Sequence, residues 1–188
     1  MVGLRIRRKF PLILGCVVLI FLTLKRGKQL RTYELFIPNQ EPKAVWDFVA
    51  DFSNMPKLNT KIQRWELLDE AGNFERWTYR VVTYETMVGG ALFGLNENHG
   101  EVLVEPVKAP DHYYLQEVYT TYSLHGYLVV KNHGKMHFRR EVRHGVRGTL
   151  FQQEAFSDCP LLLAPLCSYE IDHNRRNFLA NLVSVFAK

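Results

Sequence analysis

The sequence predicts an α+β fold, a run of antiparallel strands closed by helices, and three observations predict it. Alternating apolar and polar segments rich in Val, Tyr, Thr and Phe recur from Leu30 to Ser157, with turn-forming residues between them. The stretch from Cys167 to Ala187 instead places Tyr169, Ile171, Phe178, Leu179, Leu182, Val183 and Phe186 on a stripe at helical spacing. Strands and helices do not alternate along the chain, which argues against a parallel βαβ sheet.

The chain opens on an apolar run, Phe10 to Leu24, uncharged and 15 residues long. Arg5, Arg7, Arg8 and Lys9 precede it, and Lys25, Arg26, Lys28 and Arg31 follow. This pattern predicts an uncleaved single-pass anchor, or signal-anchor, in a thin bilayer such as the endoplasmic reticulum. The run is short, since about 17 residues is the usual floor for a spanning helix, and snorkelling Lys and Arg stems are expected to bridge the mismatch. A cleaved signal peptide or an interfacial helix competes, but KRGKQLR follows Leu24 where a cleavage site needs small residues. The flanking charges are balanced, so they set no orientation. The chain has no N-x-S/T acceptor and an odd number of cysteines, Cys16, Cys159 and Cys167, which favours a cytosolic domain with reduced thiols, although Cys159 and Cys167 could pair in an oxidising compartment. The expected organisation is a basic flank over 1–9, an anchor over 10–24, a basic linker over 25–30 and one ligand-binding domain over 31–188.

Composition bounds the function. With 47% hydrophobic and 13% aromatic residues the chain can bury a core, and its +5 charge is concentrated beside the apolar run. That charge suits an anionic lipid surface. Nucleic acid is not an expected partner, because no basic stripe interleaved with aromatics recurs further on. Neither a protein partner nor a cofactor can be named.

The elements follow in order. Leu30–Ile37 alternates and reads as a first strand, ended by Pro38-Asn39. Glu41-Pro42 opens a short helix, with Pro42 suited to its first turn and Val45, Trp46, Phe48 and Val49 on one face. Asp51 to Pro56 ends it and starts a second short helix or turn. Strands are then expected over Ile62–Asp69, Phe74–Glu85, Gly100–Val107, His112–Tyr122, Leu128–Lys131, Lys135–Arg143 and Gly148–Ser157, and a long helix over Cys167–Ala187.

The segment PKAVWDFVADFSNMPKL, Pro42 to Leu58, resembles the pattern that follows the first strand in the START-like superfamily, also called the SRPBCC, polyketide cyclase or Bet v 1-like group. Gly145–Leu150 (GVRGTL), followed by a strand and an amphipathic helix, is similar to the end of the same group's fold. The resemblance covers about Leu30 to Lys188. It implies a helix-grip fold, a curved antiparallel sheet wrapped around a long C-terminal helix, here preceded by a transmembrane helix. It also implies a cavity for a membrane lipid or other hydrophobic small molecule, bound next to the bilayer for transfer or sensing. Met87–Asn98 (MVGGALFGLNEN) departs from the simplest pattern as a glycine-rich, apolar insertion.

On such a sheet one parity of side chains lines the cavity. Trp65, Trp77, Tyr79, Val81, Tyr119 and Phe156 are the candidate wall, with His137 and Arg139 as polar handles for a head group. Met87, Leu92 and Phe93 are the candidate gate. Each has a plainer alternative, as core, solvated face or simple connection. Cys159–Leu166 (CPLLLAPL) is a second apolar loop, packed on the helix or lowered into a bilayer. No metal site is expected, since the seven histidines form no metal-ligand motif. No catalytic residue is assigned, because no nucleophile elbow or P-loop exists. Two alternatives stay open: an enzyme of this fold using His137 or Glu117 as acid or base, and a scaffold whose interior is filled.

Overall fold

The computed structural model describes residues 3–73, 76–87, 94–106 and 111–187, with side chains from residue 13 onward. In chain order the elements are α1 (Gly3–Leu24), β1 (Arg26–Pro38), α2 (Pro42–Ala50), a 3₁₀ turn (Phe52–Asn54) and α3 (Met55–Leu58). Then come β2 (Ile62–Gly72), β3 (Trp77–Thr86), β4 (Leu95–Pro106), β5 (His112–Ser123), β6 (Leu128–Arg143) and β7 (Val146–Pro160). A 3₁₀ turn (Leu161–Leu163) leads into α4 (Ala164–Phe186).

The strands form one antiparallel sheet of seven, in the order β1-β7-β6-β5-β4-β3-β2. Consecutive strands from β2 to β7 pair as hairpins, so the chain runs across the sheet as a meander. β1 returns to the far edge against β7, with Arg26 opposite Pro160 and Pro38 opposite Gly148. The two short helices therefore carry the chain from one sheet edge to the other.

Each helix is set by its apolar face. Pro42, Val45, Trp46, Val49 and Ala50 are buried on α2 at helical spacing. The Trp46 indole N–H donates to the Tyr114 carbonyl at 3.1 Å, which ties α2 to β5. Phe178 and Leu182 are the buried residues of α4. They join Phe138 of β6 and Phe151 of β7, whose rings lie 5.3 Å apart and are fully buried. Side chains of this size each contribute roughly 1.5–3 kcal/mol on burial.

Several sequence boundaries move. β1 starts at Arg26, directly after α1, and takes up the expected linker. β6 is one strand through Asn132-His133-Gly134, because those residues pair with both β5 and β7. The expected gap there is absent. The turn between β5 and β6 lies at Ser123–Leu128, where the expected strands left it, and Leu124, His125 and Gly126 take positive φ there. The apolar CPLLLAPL segment ends β7, forms the 3₁₀ turn and starts α4. Cys159 and Cys167, whose pairing the sequence leaves open, are joined by a disulfide across that junction.

The membrane expectation is corrected. Among the described residues no helix is long and apolar enough to cross a membrane. α1 has 22 residues, but it takes in Arg5, Arg7, Arg8 and Lys9, and its apolar part is only the 15 residues from Phe10. At 1.5 Å per residue that part spans about 22 Å, short of the roughly 30 Å hydrocarbon core. The expected single-pass localisation, with its endoplasmic reticulum and cytosolic-side assignments, is thereby overturned. α1 packs against the Leu161–Leu163 turn, and the Leu161 N–H donates to the Lys25 carbonyl at 2.9 Å.

Candidate functional site

The concave face of the sheet divides along the strands. At one end Tyr79, Val81, Val102, Val104, Leu115, Met136 and Phe138 are buried beneath α2 and the C-terminal half of α4. At the other end the same inward parity carries Thr83 and Glu85 on β3, Asn96 and Asn98 on β4, and Glu117, Thr121 and Ser123 on β5. The N-terminal half of α4 covers this end with Glu170, Asn174 and Arg175. Between them lies a cavity of about 220 Å³. Its apolar wall includes Phe52, Met55, Met87, Tyr119 and Phe178.

Two glycines position the polar wall. Gly100 of β4 pairs with Tyr119 of β5, and a Cβ on Gly100 would sit 2.2 Å from the Tyr119 ring. Gly134 of β6 pairs with Glu117, and a Cβ there would lie 2.4 Å from Glu117 Oε1. Each glycine gives up a side chain so that a β5 residue can lie across the neighbouring strand. The carboxylate of Glu117, 7% exposed, then accepts from Arg175 Nη2 at 2.8 Å and Gln153 Nε2 at 3.2 Å. Beside this pair, Lys61 Nζ meets Glu170 Oε1 at 2.8 Å. Asp172 takes Arg31 Nε at 2.9 Å and the Tyr33 hydroxyl at 2.8 Å. Burial first, then the hydrogen bond to Asp172, pushes the Tyr33 phenol up to about 12.

Glu85 differs from these paired acids. Thr83 Oγ1 donates to its Oε1 at 3.0 Å, and Asn98 Nδ2 donates in turn to Thr83 Oγ1 at 3.0 Å. Burial raises the Glu85 pKa above its ordinary 4.5, against the opposing pull of Asn59, Thr83, Arg175 and Lys61. The folded state therefore holds the Glu85 proton more tightly than the unfolded chain does. Its stabilising contribution is complete below about pH 4.5 and is lost as pH rises through the raised value. Glu85→Gln is expected to raise Tm by a few degrees near about pH 8 and to leave it unchanged near about pH 4. Differential scanning calorimetry across that range reads the difference.

The sequence-predicted site residues fall in different places. Tyr119 and Met87 line the cavity, whereas the Phe156 side chain, 40% exposed, takes the outer parity of β7 with Gln152 and Glu154. Trp65, Trp77, Tyr79 and Val81 belong to the packed end. Trp65 lies against Phe52 at 5.2 Å and Trp77 against Trp46 at 5.5 Å, centroid to centroid, while the Tyr79 hydroxyl donates to the Ala50 carbonyl at 3.1 Å. α2 and the 3₁₀ turn after it occupy the space they were expected to leave open. His137 and Arg139 are on the outer face, because Met136 and Phe138 take the inward parity of β6. There His137 Nδ1 sits 3.1 Å from His112 Nε2, and burial, then the neighbouring imidazole, lowers its pKa. Leu92 and Phe93 lie outside the described residues.

Sequence reasoning missed Glu85, Asn96, Asn98, Asn174 and Arg175. Glu85 continues the inward parity of Tyr79, Val81 and Thr83, which was the available signal. The alternation across Leu95–Asn98 was obscured by the apolar, glycine-rich run before it. Among the described residues no group of three or more His, Cys, Asp or Glu could hold a metal ion.

Sheet, cavity and gripping helix together define a helix-grip fold of the START and Bet v 1 type. In particular, the chain is similar in structure to the ZhuI aromatase/cyclase of Streptomyces sp. R1128, at 12% identity over 87% of this chain and 94% of that one, with a TM-score of 0.52. It is similar to truncated norcoclaurine synthase from Thalictrum flavum, at 11% identity, 85% and 93% coverage and a TM-score of 0.54. A START superfamily protein from Mycobacterium smegmatis gives 14% identity, 85% and 99% coverage and a TM-score of 0.52. At these identities the likeness is one of fold, which does not carry function with it. No protein-family model matches the sequence, and no curated protein does.

Proposed function

We propose that this protein binds a small amphipathic molecule in the cavity between α4 and the open end of the sheet. The observation that carries this reading is the mixed wall. Apolar side chains face buried polar atoms that have no protein partner, namely Asn96 Oδ1, Ser157 Oγ and Asn174 Oδ1. Burying such atoms unpaired costs about 1–3 kcal/mol each, and a ligand with matching groups removes that cost. The apolar portion of the ligand gains about 25 cal/mol per Å² removed from water. Apolar-ligand binding also fits the structural neighbours, which include a cyclase and a START protein.

The size of the cavity narrows the occupant. At about 220 Å³ it is smaller than the roughly 300–1,000 Å³ usual for drug-sized ligands. One ring system or a short chain suits it better than a two-chain membrane lipid. Tyr119 and Met87 are the ligand-contacting residues carried forward from the sequence. An open cavity, in place of a filled interior, weighs against the scaffold alternative.

Ala155 of β7 lines the cavity, and Ala155→Trp is expected to fill it. A small fluorescent probe such as 2-naphthol should bind the full chain, and its affinity for the variant should fall about tenfold or more. Equal binding to both proteins would place the probe elsewhere and count against the cavity.

A further inference from the structure

The charges around the cavity are nearly all matched. Glu117 is paired with Arg175, Glu170 with Lys61, and Asp172 with Arg31. Glu85 is the exception: among the described residues it makes no ion pair. The nearby cations Arg175 and Lys61 are already committed to other carboxylates. The Glu85 carboxyl is held in place by Thr83, whose hydroxyl oxygen accepts from Asn98 and whose proton is thereby directed at Glu85.

Besides the Ser157 hydroxyl, which can also donate, two orphaned amide oxygens line the same cavity. Asn96, 9% exposed, is the register partner of Glu85 on the adjacent strand, and its buried Oδ1 has no partner. Directly opposed residues of this kind have Cβ atoms about 4.5–5.5 Å apart. On α4, Asn174 gives its amide N–H to Glu170 at 3.4 Å, which fixes the orientation of the amide and leaves its buried Oδ1 unpartnered. The cavity thus offers three acceptors, one of them an unpaired acid.

An alkyl ammonium carries three N–H donors, no acceptor and one positive charge, and so answers both deficits. We propose that the ligand is a small apolar primary amine, bound as its ammonium with the head group on Glu85, Asn96 and Asn174 and the apolar body against Phe52, Met87 and Phe178. This deepens the ligand-binding reading and rests on it. A hydroxyl supplies a single donor and no charge, and a carboxylate adds a fourth acceptor and a second negative charge.

Isothermal titration of the full chain with n-octylamine, 1-octanol and octanoate separates the cases, since all three share the apolar chain. Octylamine is expected to bind about tenfold tighter than octanol, the advantage of charge-assisted hydrogen bonds, and octanoate weakest of all. Glu85→Gln keeps the shape and removes the charge, so the preference for amine over alcohol should shrink to about twofold or less. Cooperative melting of the variant verifies its fold. Octanol or octanoate binding as tightly as octylamine would overturn the amine assignment and leave the cavity reading standing. Retention of the full amine preference in Glu85→Gln would also overturn the assignment. Failure of all three compounds to bind would count against the cavity reading itself.

Discussion

Glu117→Ala is expected to cost about 2–3 kcal/mol of folding stability, within reach of urea denaturation analysed by linear extrapolation. Removing one partner of a buried ion pair typically costs 3–5 kcal/mol, because the other charge is left without compensation. Here the Arg175 side chain retains 23% exposure toward the cavity, so water recovers part of that penalty and the lower figure applies. The loss also strips Gln153 Nε2 of its acceptor in a residue that is fully buried. Removing both charges together should cost less, since the penalty lies in the unpaired partner and not in the pair. Glu117→Leu combined with Arg175→Met is therefore expected to recover most of the loss. A double variant as unstable as Glu117→Ala would show that the pair itself, and not the stranded charge, stabilises the fold.

Gly100→Val is expected to destabilise the protein by about 3 kcal/mol, the upper end of the usual cost of overpacking. A Cβ at this position meets Cε1, Cδ1 and Cζ of Tyr119 at 2.2 to 2.8 Å. The ring must swing away, and the space it can enter is the cavity. The variant should therefore lose ligand affinity together with stability, whereas a substitution at the packed end should lose stability alone. Tyr119→Ala in the Gly100→Val background removes the clashing ring, and the pair is predicted to be less destabilising than the two single changes added. Strict additivity would mean that the glycine serves strand geometry and not the ring.

The legible part of this protein was what repeats. Alternation identified the strands because each side chain is buried or exposed by parity alone, as in Met136 and Phe138 against His137 and Arg139. Helical spacing identified α2 and α4 from Val45, Trp46 and Val49, and from Phe178 and Leu182. What the sequence could not supply was the filling of the concave face. Trp77, Tyr79 and Val81 share a face with Thr83 and Glu85, and only the position of α2 decides which become core and which become lining. The gap expected at Asn132-His133-Gly134 failed for a related reason: residues common in turns also serve where a neighbouring side chain needs room, as Gly134 does for Glu117. The apolar N-terminal run was read as a spanning anchor on hydropathy, and its length was already short of the requirement. The Cys159–Cys167 pairing is open in the sequence, because it depends on the approach of the β7 end to the start of α4.

Whether the cavity under α4 holds a small amphipathic ligand is decided by native mass spectrometry of the purified full chain, followed by denaturation and mass analysis of what is released. The expected result is one small molecule per chain, bearing an apolar body and a hydrogen-bonding head, and displaced from Ala155→Trp. A bare mass for the wild-type chain, unchanged after incubation with a mixed pool of small amphiphiles and alkyl amines, would contradict it.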